Sequence, residues 1–205
     1  MLSTSPEITA IVRPSWFLAE SVVVVAHDER MDGPLRQAAV RLRTAVEAAD
    51  ITAAVRTMYK RVGLDPTKTR PSSEALLRRV RKGDELPRVN SLVDVINWCS
   101  VETQLPFGLY DLDKISGPVT LRLGHDGESY PGIRKDDVNV AHRLTLADDI
   151  GPFGNPTSDS ARTMVTAVTT RALVVIFTPA PLAPATGEHA AALTRARIDT
   201  YCAPG

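Results

Sequence analysis

The order of hydrophobic patterns along the chain is the feature that most limits its possible folds. From Leu35 to Val62, and again from Ser91 to Gln104, apolar residues recur at spacings of three and four, which is typical of amphipathic helices. Runs rich in β-branched residues, which favour strands, stand before this block at Val22–Ala26 and after it at Ala172–Thr178. Because strands and helices do not alternate one for one, the order predicts an α+β domain and not a doubly wound sheet.

Local start and stop signals divide these patterns into elements. Asp50, Ser72 and Asn90 are predicted helix N-caps, and Gly63 and Gly83 are predicted helix ends. We predict one domain over residues 1–179, followed by a linker and a terminal helix over residues 180–205. The predicted strands are Ile8–Arg13, Val22–Ala26, Val119–Leu123, Val138–Leu146 and Ala172–Thr178, and the terminal helix is His189–Thr200 after a Pro/Ala-rich linker, Pro179–Gly187.

Charge is balanced over the chain as a whole but divided along it. The 24 basic and 24 acidic residues exclude a protein that coats nucleic acid by bulk charge. However, Arg56–Arg88 holds ten basic and four acidic residues, whereas Asn97–Ser160 holds five basic and ten acidic residues. The basic segment is either a phosphate-contact surface or a solvated helix face.

The sequence lacks the motifs of several common binding sites and of membrane or secreted proteins. Two cysteines, Cys99 and Cys202, are too few for a disulfide framework or a zinc cluster, and no histidine stands at zinc-binding spacing. Neither a phosphate-binding glycine loop nor a dinucleotide fingerprint occurs. No apolar run approaches the roughly 18 residues of a membrane span, and the N-terminus does not resemble a secretory signal. We therefore predict a soluble cytoplasmic protein with no metal, no cofactor and no membrane contact.

Two polar segments are candidates for function. Asp111 and Asp113 would share one side of an extended segment, where paired carboxylates can hold a metal or share a proton, although a turn stabilised by aspartate is the alternative beside Lys114. The loop Gly151–Ser160 combines two glycines and two prolines with five polar side chains. It either lines a ligand pocket or forms a hydrogen-bonded connection.

Four blocks of the sequence resemble, in their order and spacing, one protein family. They are RPSSEALLRR at Arg70–Arg79, LPRVNSLVDVIN at Leu86–Asn97, LPFGLYDLDK at Leu105–Lys114 and LADDIG at Leu146–Gly151. They resemble the editing module of the phenylalanyl-tRNA synthetase β subunit, formed by its third and fourth domains, and the resemblance runs over about residues 35–179. It implies a three-layer β/β/α sandwich. In the synthetase, this module hydrolyses the ester of tRNA carrying a wrong amino acid, chiefly tyrosine.

Residue by residue, the resemblance is partial. Asn97 and Pro106 match the pocket Asn and Pro of the family. The family's pocket His falls at Gly108, its neighbouring Thr at Ile96, and a strand Glu associated with tyrosine discrimination at Val175. A site that hydrogen-bonds the tyrosine hydroxyl depends on such polar partners, and here they are replaced. The resemblance therefore implies editing of a substrate other than Tyr-tRNA.

The resemblance thus implies an aminoacyl-tRNA deacylase that acts in trans without a covalent nucleophile. Asn97 would hold the amino or carbonyl group of the substrate, Asp159 or Asp148 would orient the water, and backbone N–H groups of Gly151–Asn155 would polarise the carbonyl. The alternatives are a non-catalytic module that binds an amino acid or a nucleotide-like metabolite, and a tRNA-binding partner of a translation enzyme. The expected ligands are tRNA and an amino acid or aminoacyl-adenosine moiety. The pocket residues are predicted to be Ile96, Pro106, Gly108, Gly151, Gly154, Asn155, Ser158 and Val175, and the tRNA contacts Arg78, Arg79, Arg81, Lys82 and Arg88.

Overall fold

Helices and strands are segregated along the chain, as the order of hydrophobic patterns predicts. A computed structural model describes residues 2–45, 48–134 and 136–204, and these ranges form an α+β fold. The helices are α1 (Asp32–Thr44), α2 (Ala49–Arg61), α3 (Ser72–Arg81), α4 (Ser91–Thr103) and α5 (Pro184–Tyr201). The strands are β1 (Leu2–Thr4), β2 (Val12–Ala19), β3 (Phe107–Asp111), β4 (Val119–Leu123), β5 (Ser129–Pro131), β6 (Asp137–Asn139), β7 (Leu144–Ala147), β8 (Pro152–Gly154) and β9 (Ala172–Pro179).

The strands form two sheets and a small hairpin. The larger sheet has the order β1-β4-β7-β8, in which only β1 and β4 run parallel. The second sheet has the order β2-β9-β3 and is antiparallel throughout, and β5 pairs with β6. The central strand β9 is buried at all of its positions, which explains why its sequence reads as a continuous apolar run and not as an alternation.

The sheets and helices are stacked in three layers. Helices α2, α4 and α5 pack against β9, β3 and β2, so they cover one face of the three-stranded sheet. On its other face, Tyr110 of β3 meets Phe153 of β8 edge to face, with ring centroids 4.9 Å apart. The order of layers is therefore sheet, sheet and helices, the β/β/α sandwich that the family resemblance implies.

The valine-rich segment Val22–Ala26 is not a strand, and the prediction was wrong there. The backbone hydrogen bonds of the segment go to separate places instead of to one neighbouring strand. The Val22 N–H donates to the Thr170 carbonyl at 2.8 Å, and the Val23 N–H donates to the Cys202 carbonyl at 2.7 Å. β-Branched composition favours an extended backbone, whereas a ladder also requires a partner strand alongside.

The predicted helix ends agree only in part with the structure. Asn90 is the N-cap of α4, since its side-chain oxygen accepts the Val93 N–H at 2.9 Å. Asp50 and Ser72 lie inside the first turns of α2 and α3 and are not their N-caps. Gly63 lies just beyond α2 with a φ of 72°, which suits glycine at a helix end.

Three other predicted boundaries also move. The strand predicted at Ile8–Arg13 begins only at Val12, after a short 3-10 helix at Pro6–Ile8. The strand predicted at Val138–Leu146 divides into β6 and β7. The terminal helix begins at Pro184, inside the predicted linker, because proline is well tolerated in the first turn of a helix.

Candidate functional site

One face of α4 forms the floor of a cavity of about 360 Å³. Asn90, Val93, Asn97 and Ser100 line it, and their spacing of three and four residues places them in one row along the helix. Ile96 lines the cavity at the side of this row. We call this space the α4 cavity.

The opposite wall of the α4 cavity comes from β3 and from the loop after β8. Phe107 and Leu109, two residues apart on β3, point to the same side of the strand and line the cavity. Thr157, Ser158 and Asp159 supply the loop part of the wall. The remaining lining residues are Ser72, Leu76, Val89, Ile133, Arg134, Met164 and Val165.

Asn155 gives the loop its shape. Its side-chain oxygen accepts the N–H groups of Thr157 at 2.8 Å and Ser158 at 2.9 Å, and its amide nitrogen donates to the Tyr130 hydroxyl at 2.9 Å. The Tyr130 hydroxyl in turn donates to the Ser158 carbonyl at 2.6 Å. This buried network fixes the backbone immediately before Asp159. Asn155 therefore shapes the cavity wall from behind without lining the cavity.

Two side chains give the α4 cavity its chemical character. The carboxamide of Asn97 is half-buried and has no hydrogen-bond partner among the described residues, so both its donor and its acceptor are available to a ligand. Asp159 supplies a carboxylate to the same cavity. Most of the other lining side chains are apolar, which strengthens polar interactions made inside the cavity. Of the predicted site residues, the structure brings Ile96, Asn97, Ser158 and Asp159 together here.

Asp148 lies outside the α4 cavity, and its contacts are with the protein itself. Its carboxylate is fully buried and forms a two-pronged ion pair with Arg162, with both N–O distances at 2.9 Å. It also accepts the N–H groups of Ser116 at 2.9 Å and Gly151 at 3.2 Å. Burial alone would raise the pKa of Asp148, but Arg162 and these N–H groups together lower it below the usual value.

We expect Asp148→Asn to destabilise the fold by about 2 kcal/mol near neutral pH, because Arg162 then loses its carboxylate partner. A lowered folded-state pKa adds stability above the unfolded pKa of about 3.9, and this stability is lost as the pH falls through the folded pKa. The difference between variant and parent should therefore shrink in acid. Urea unfolding at about pH 7 and about pH 3 measures it, with the exposed neighbour Asp149→Asn as the control. An equal difference at both pH values would contradict the ion-pair explanation.

Gly108 and Val175 also lie outside the α4 cavity, for a reason of strand geometry. They are direct partners in the β3–β9 ladder, so they share one face of the sheet. Phe107 and Leu109, which line the cavity, point to the other face because side chains alternate along a strand. Gly108 and Val175 therefore face the neighbouring sheet, on the side of Tyr110.

The remaining predicted pocket positions are likewise engaged elsewhere. Among the residues that the structure describes, Pro106, Gly151 and Gly154 do not line the α4 cavity. The Gly151 N–H is bound by Asp148, and the Asn155 N–H donates to the Ser158 carbonyl at 3.2 Å. These two N–H groups are therefore not directed at a ligand in this structure, whereas the segment was predicted to polarise a carbonyl.

Several residues of the cavity wall were not predicted from the sequence. Phe107 and Leu109 could have been found, since their alternation with Gly108 and Tyr110 separates two faces of one strand. No such pattern marks Arg134 and Met164, because both lie in loops whose positions depend on the rest of the fold. Arg134 has a φ of 53°, which is uncommon for a residue other than glycine.

The predicted tRNA contacts fall into two groups. Arg78, Arg79, Arg81 and Lys82 lie at the end of α3 and are exposed. Arg88 differs, because its guanidinium is half-buried and bonded within the protein. It pairs with the fully buried carboxylate of Asp94 at 2.7 Å and also with Asp32.

The paired aspartates form a turn. Asp111 is the N-cap of a short 3-10 helix, and its carboxylate accepts the Asp113 N–H at 3.2 Å and the Thr169 hydroxyl at 2.7 Å. Asp113 pairs with Arg171. The part of the chain that the structure describes shows no cluster of three or more His, Cys, Asp or Glu suited to a metal. None of its helices is both long and apolar enough to cross a bilayer.

Comparisons with known proteins point to one family. The model of the B3/4 domain family matches residues 54–194. The phenylalanine–tRNA ligase β subunit of Cutibacterium acnes is 30% identical over 142 residues, which are 65% of this chain and 17% of that subunit. The same subunit of Ralstonia nicotianae is 36% identical over 61 residues, which are 30% of this chain and 8% of that subunit. The chain thus spans less than a fifth of the length of these relatives.

A solved structure shows the same fold. It is an N-terminal fragment of the phenylalanyl-tRNA synthetase β subunit from Pyrococcus horikoshii, with a TM-score of 0.51 and 11% sequence identity. The match covers 98% of this chain and 48% of that fragment. At this level of identity, the likeness concerns the fold alone.

Proposed function

The chain belongs to the B3/4 domain family, and from this premise we propose that it is an aminoacyl-tRNA deacylase that acts in trans on mischarged tRNA in the cytoplasm. One observation carries the proposal: a single cavity between α4, β3 and the loop after β8 holds a carboxamide, Asn97, and a carboxylate, Asp159, among mainly apolar walls. Such a cavity suits an amino acid side chain with a polar reacting end. We treat residues 1–179 as the unit that carries this function.

The proposed reaction is direct hydrolysis of the ester. The Asn97 amide nitrogen donates to the ester carbonyl and places it beside a water molecule that Asp159 orients. Water oxygen bonds to the carbonyl carbon, the bond from that carbon to the ribose oxygen breaks, and the water proton passes to the leaving oxygen by way of the carboxylate. The products are a free amino acid and an uncharged tRNA end. Asp159 is proposed for this role because it lines the α4 cavity, whereas Asp148 lies outside the cavity and pairs with Arg162.

The walls of the α4 cavity favour a substrate with an apolar side chain. Ile96, Leu109 and Val165 are among its apolar lining residues, and Ile96 stands where the family resemblance places a polar Thr. A site that discriminates by a hydroxyl needs a polar partner for it, whereas apolar contacts separate substrates by only about 10- to 200-fold. We therefore propose that Tyr-tRNA is not the preferred substrate.

Single-turnover deacylation of a panel of aminoacyl-tRNAs by the purified protein tests this function. We expect hydrolysis of at least one substrate with an apolar side chain, at a rate above that for Tyr-tRNA. Rapid and selective hydrolysis of Tyr-tRNA would refute the proposed specificity. If no substrate is hydrolysed but an amino acid or aminoacyl-adenosine raises the melting temperature, the protein is a binding module and not an enzyme.

The four basic residues Arg78, Arg79, Arg81 and Lys82 at the end of α3 are the proposed contacts to tRNA phosphates. Replacing all four with alanine should weaken tRNA binding about 10- to 100-fold at low salt, because contacts to phosphates supply much of the affinity. Each lost contact should also lower the slope of log affinity against log salt by about 0.7–0.9. Binding measured over a range of salt concentrations gives both values. The control is the combined variant Arg78→Lys, Arg79→Lys and Arg81→Lys, which retains the positive charges. Alanine variants with unchanged affinity and salt dependence would remove this surface from the proposal.

A further inference from the structure

We propose that Tyr110 is a positioning residue whose buried hydroxyl holds the Asp159 carboxylate in the orientation that serves the α4 cavity. This inference rests on the proposed function and adds to it a residue that does not touch the substrate. Tyr110 is fully buried on the face of β3 that points away from the cavity. Its effect on a substrate must therefore pass through Asp159.

The first observation is an unused hydrogen-bond donor. The Tyr110 hydroxyl is buried and has no well-formed hydrogen bond among the described residues. Buried polar groups of this kind are uncommon, and each requires an explanation. Burial, reinforced by the negative charge of Asp159, raises the pKa of Tyr110 well above its usual value, so the hydroxyl keeps its proton. It is therefore a permanent donor beside a carboxylate.

The second observation concerns the other phenol near Asp159. The charge of Asp159 also contributes, after burial, to raising the pKa of Tyr130. However, the Tyr130 hydroxyl already donates its proton to the Ser158 carbonyl at 2.6 Å. Of these two phenols, only Tyr110 has a proton that it can donate to the carboxylate.

The third observation is that the Tyr110 ring is confined. A β-carbon added at Gly108 would lie 2.2 Å from the Tyr110 hydroxyl oxygen, and one added at Gly154 would lie 2.3 Å from it. The two glycines therefore form a slot that fits the ring, and Phe153 closes it with an edge contact. The hydroxyl cannot swing away without displacing backbone.

The backbone of Asp159 is paired with one side of this slot. Asp159 forms an isolated antiparallel bridge with Gly154, one of the two glycines that flank the ring. With ring and backbone both fixed, the Tyr110 hydroxyl is one of the groups that set the rotamer of the Asp159 side chain. Hydrogen bonds of catalytic groups are often poorly aligned in unliganded enzymes and tighten when substrate binds. A donor at this place favours the rotamer that serves the α4 cavity.

The test is Tyr110→Phe, which removes the hydroxyl and keeps the ring in its slot. We expect the titration midpoint of the Asp159 carboxyl, followed by carbon-13 NMR in the free protein, to rise by about half a pH unit or more, because a donor to the charged form is lost. Tyr130, whose pKa also responds to the charge of Asp159, and Arg134, which lines the same cavity, both remain in the variant. The more exposed and distant Tyr201→Phe is the control.

Kinetics give the second readout. Tyr110→Phe should lower kcat about 10-fold with little change in KM, since positioning affects the reacting geometry more than ground-state binding. In an Asp159→Asn background, the same change should have no further effect. An unchanged titration midpoint would overturn the proposal, whatever the kinetics. A raised midpoint in a protein that hydrolyses no aminoacyl-tRNA would support the Tyr110–Asp159 pair and refute the deacylase function, so the two failures are distinguishable.

Discussion

Replacing Asp159 with asparagine is expected to lower the single-turnover rate constant of deacylation about 100-fold or more. A positioned general base contributes roughly 10²- to 10⁴-fold, and asparagine cannot accept the proton of the attacking water. The variant keeps the size of the side chain, so the cavity should keep its shape and tRNA binding should be unchanged. Asp199→Asn, at an exposed position of α5, is the matched control and should retain the parental rate.

Asn97→Ala should lower the same rate constant by about 100-fold, because an ester displaced by about 1 Å loses that much of its reactivity. Its control is Gln37→Ala, which removes a carboxamide from an exposed position of α1. If both Asp159→Asn and Asn97→Ala were as active as the parent protein, the residues of the α4 cavity would be wrongly assigned even if deacylation itself were observed. Loss of activity in the two controls would instead indicate that the assay reports on folding.

The second large effect concerns stability. Arg88→Ala should lower the free energy of unfolding by about 3 kcal/mol, since removal of one partner leaves a buried charge without compensation. The side chain of Asp94 is 0% exposed and that of Arg88 is 23% exposed, so the lost partner is largely shielded from water. Arg88 also donates to the Asp28 carbonyl at 3.0 Å and pairs with Asp32, which ties the start of α1 and the residues just before it to the start of α4.

Urea unfolding measures this loss, and Arg78→Ala is the matched control because Arg78 is exposed on α3. Adding Asp94→Asn to Arg88→Ala should restore part of the lost stability, because asparagine removes the buried charge and still offers an acceptor to the Val89 N–H. A loss below about 0.5 kcal/mol, similar to that of surface substitutions, would contradict the structural role of Arg88. It would then return Arg88 to the set of proposed tRNA contacts.

The sequence by itself determined the elements that depend on local chemistry. Apolar spacing identified α1, α2 and α4, and the Asn90 cap placed the first residue of α4 correctly. The strand at Val119–Leu123 was predicted with its observed bounds. These features depend on residues a few positions apart, whose effects on the backbone do not require the rest of the fold. The order of elements then gave the α+β class.

The tertiary structure decided which residues face the α4 cavity. Matching short blocks located Asn97, but it could not show that Gly108 faces the neighbouring sheet, because a shift of one residue along a strand exchanges its two faces. It also could not separate Asp148 from Asp159, since both are acidic residues that flank β8 in the sequence. Only the position of Arg162 shows that the first of them is held within the protein. Long-range contacts decide these roles, and no local pattern encodes them.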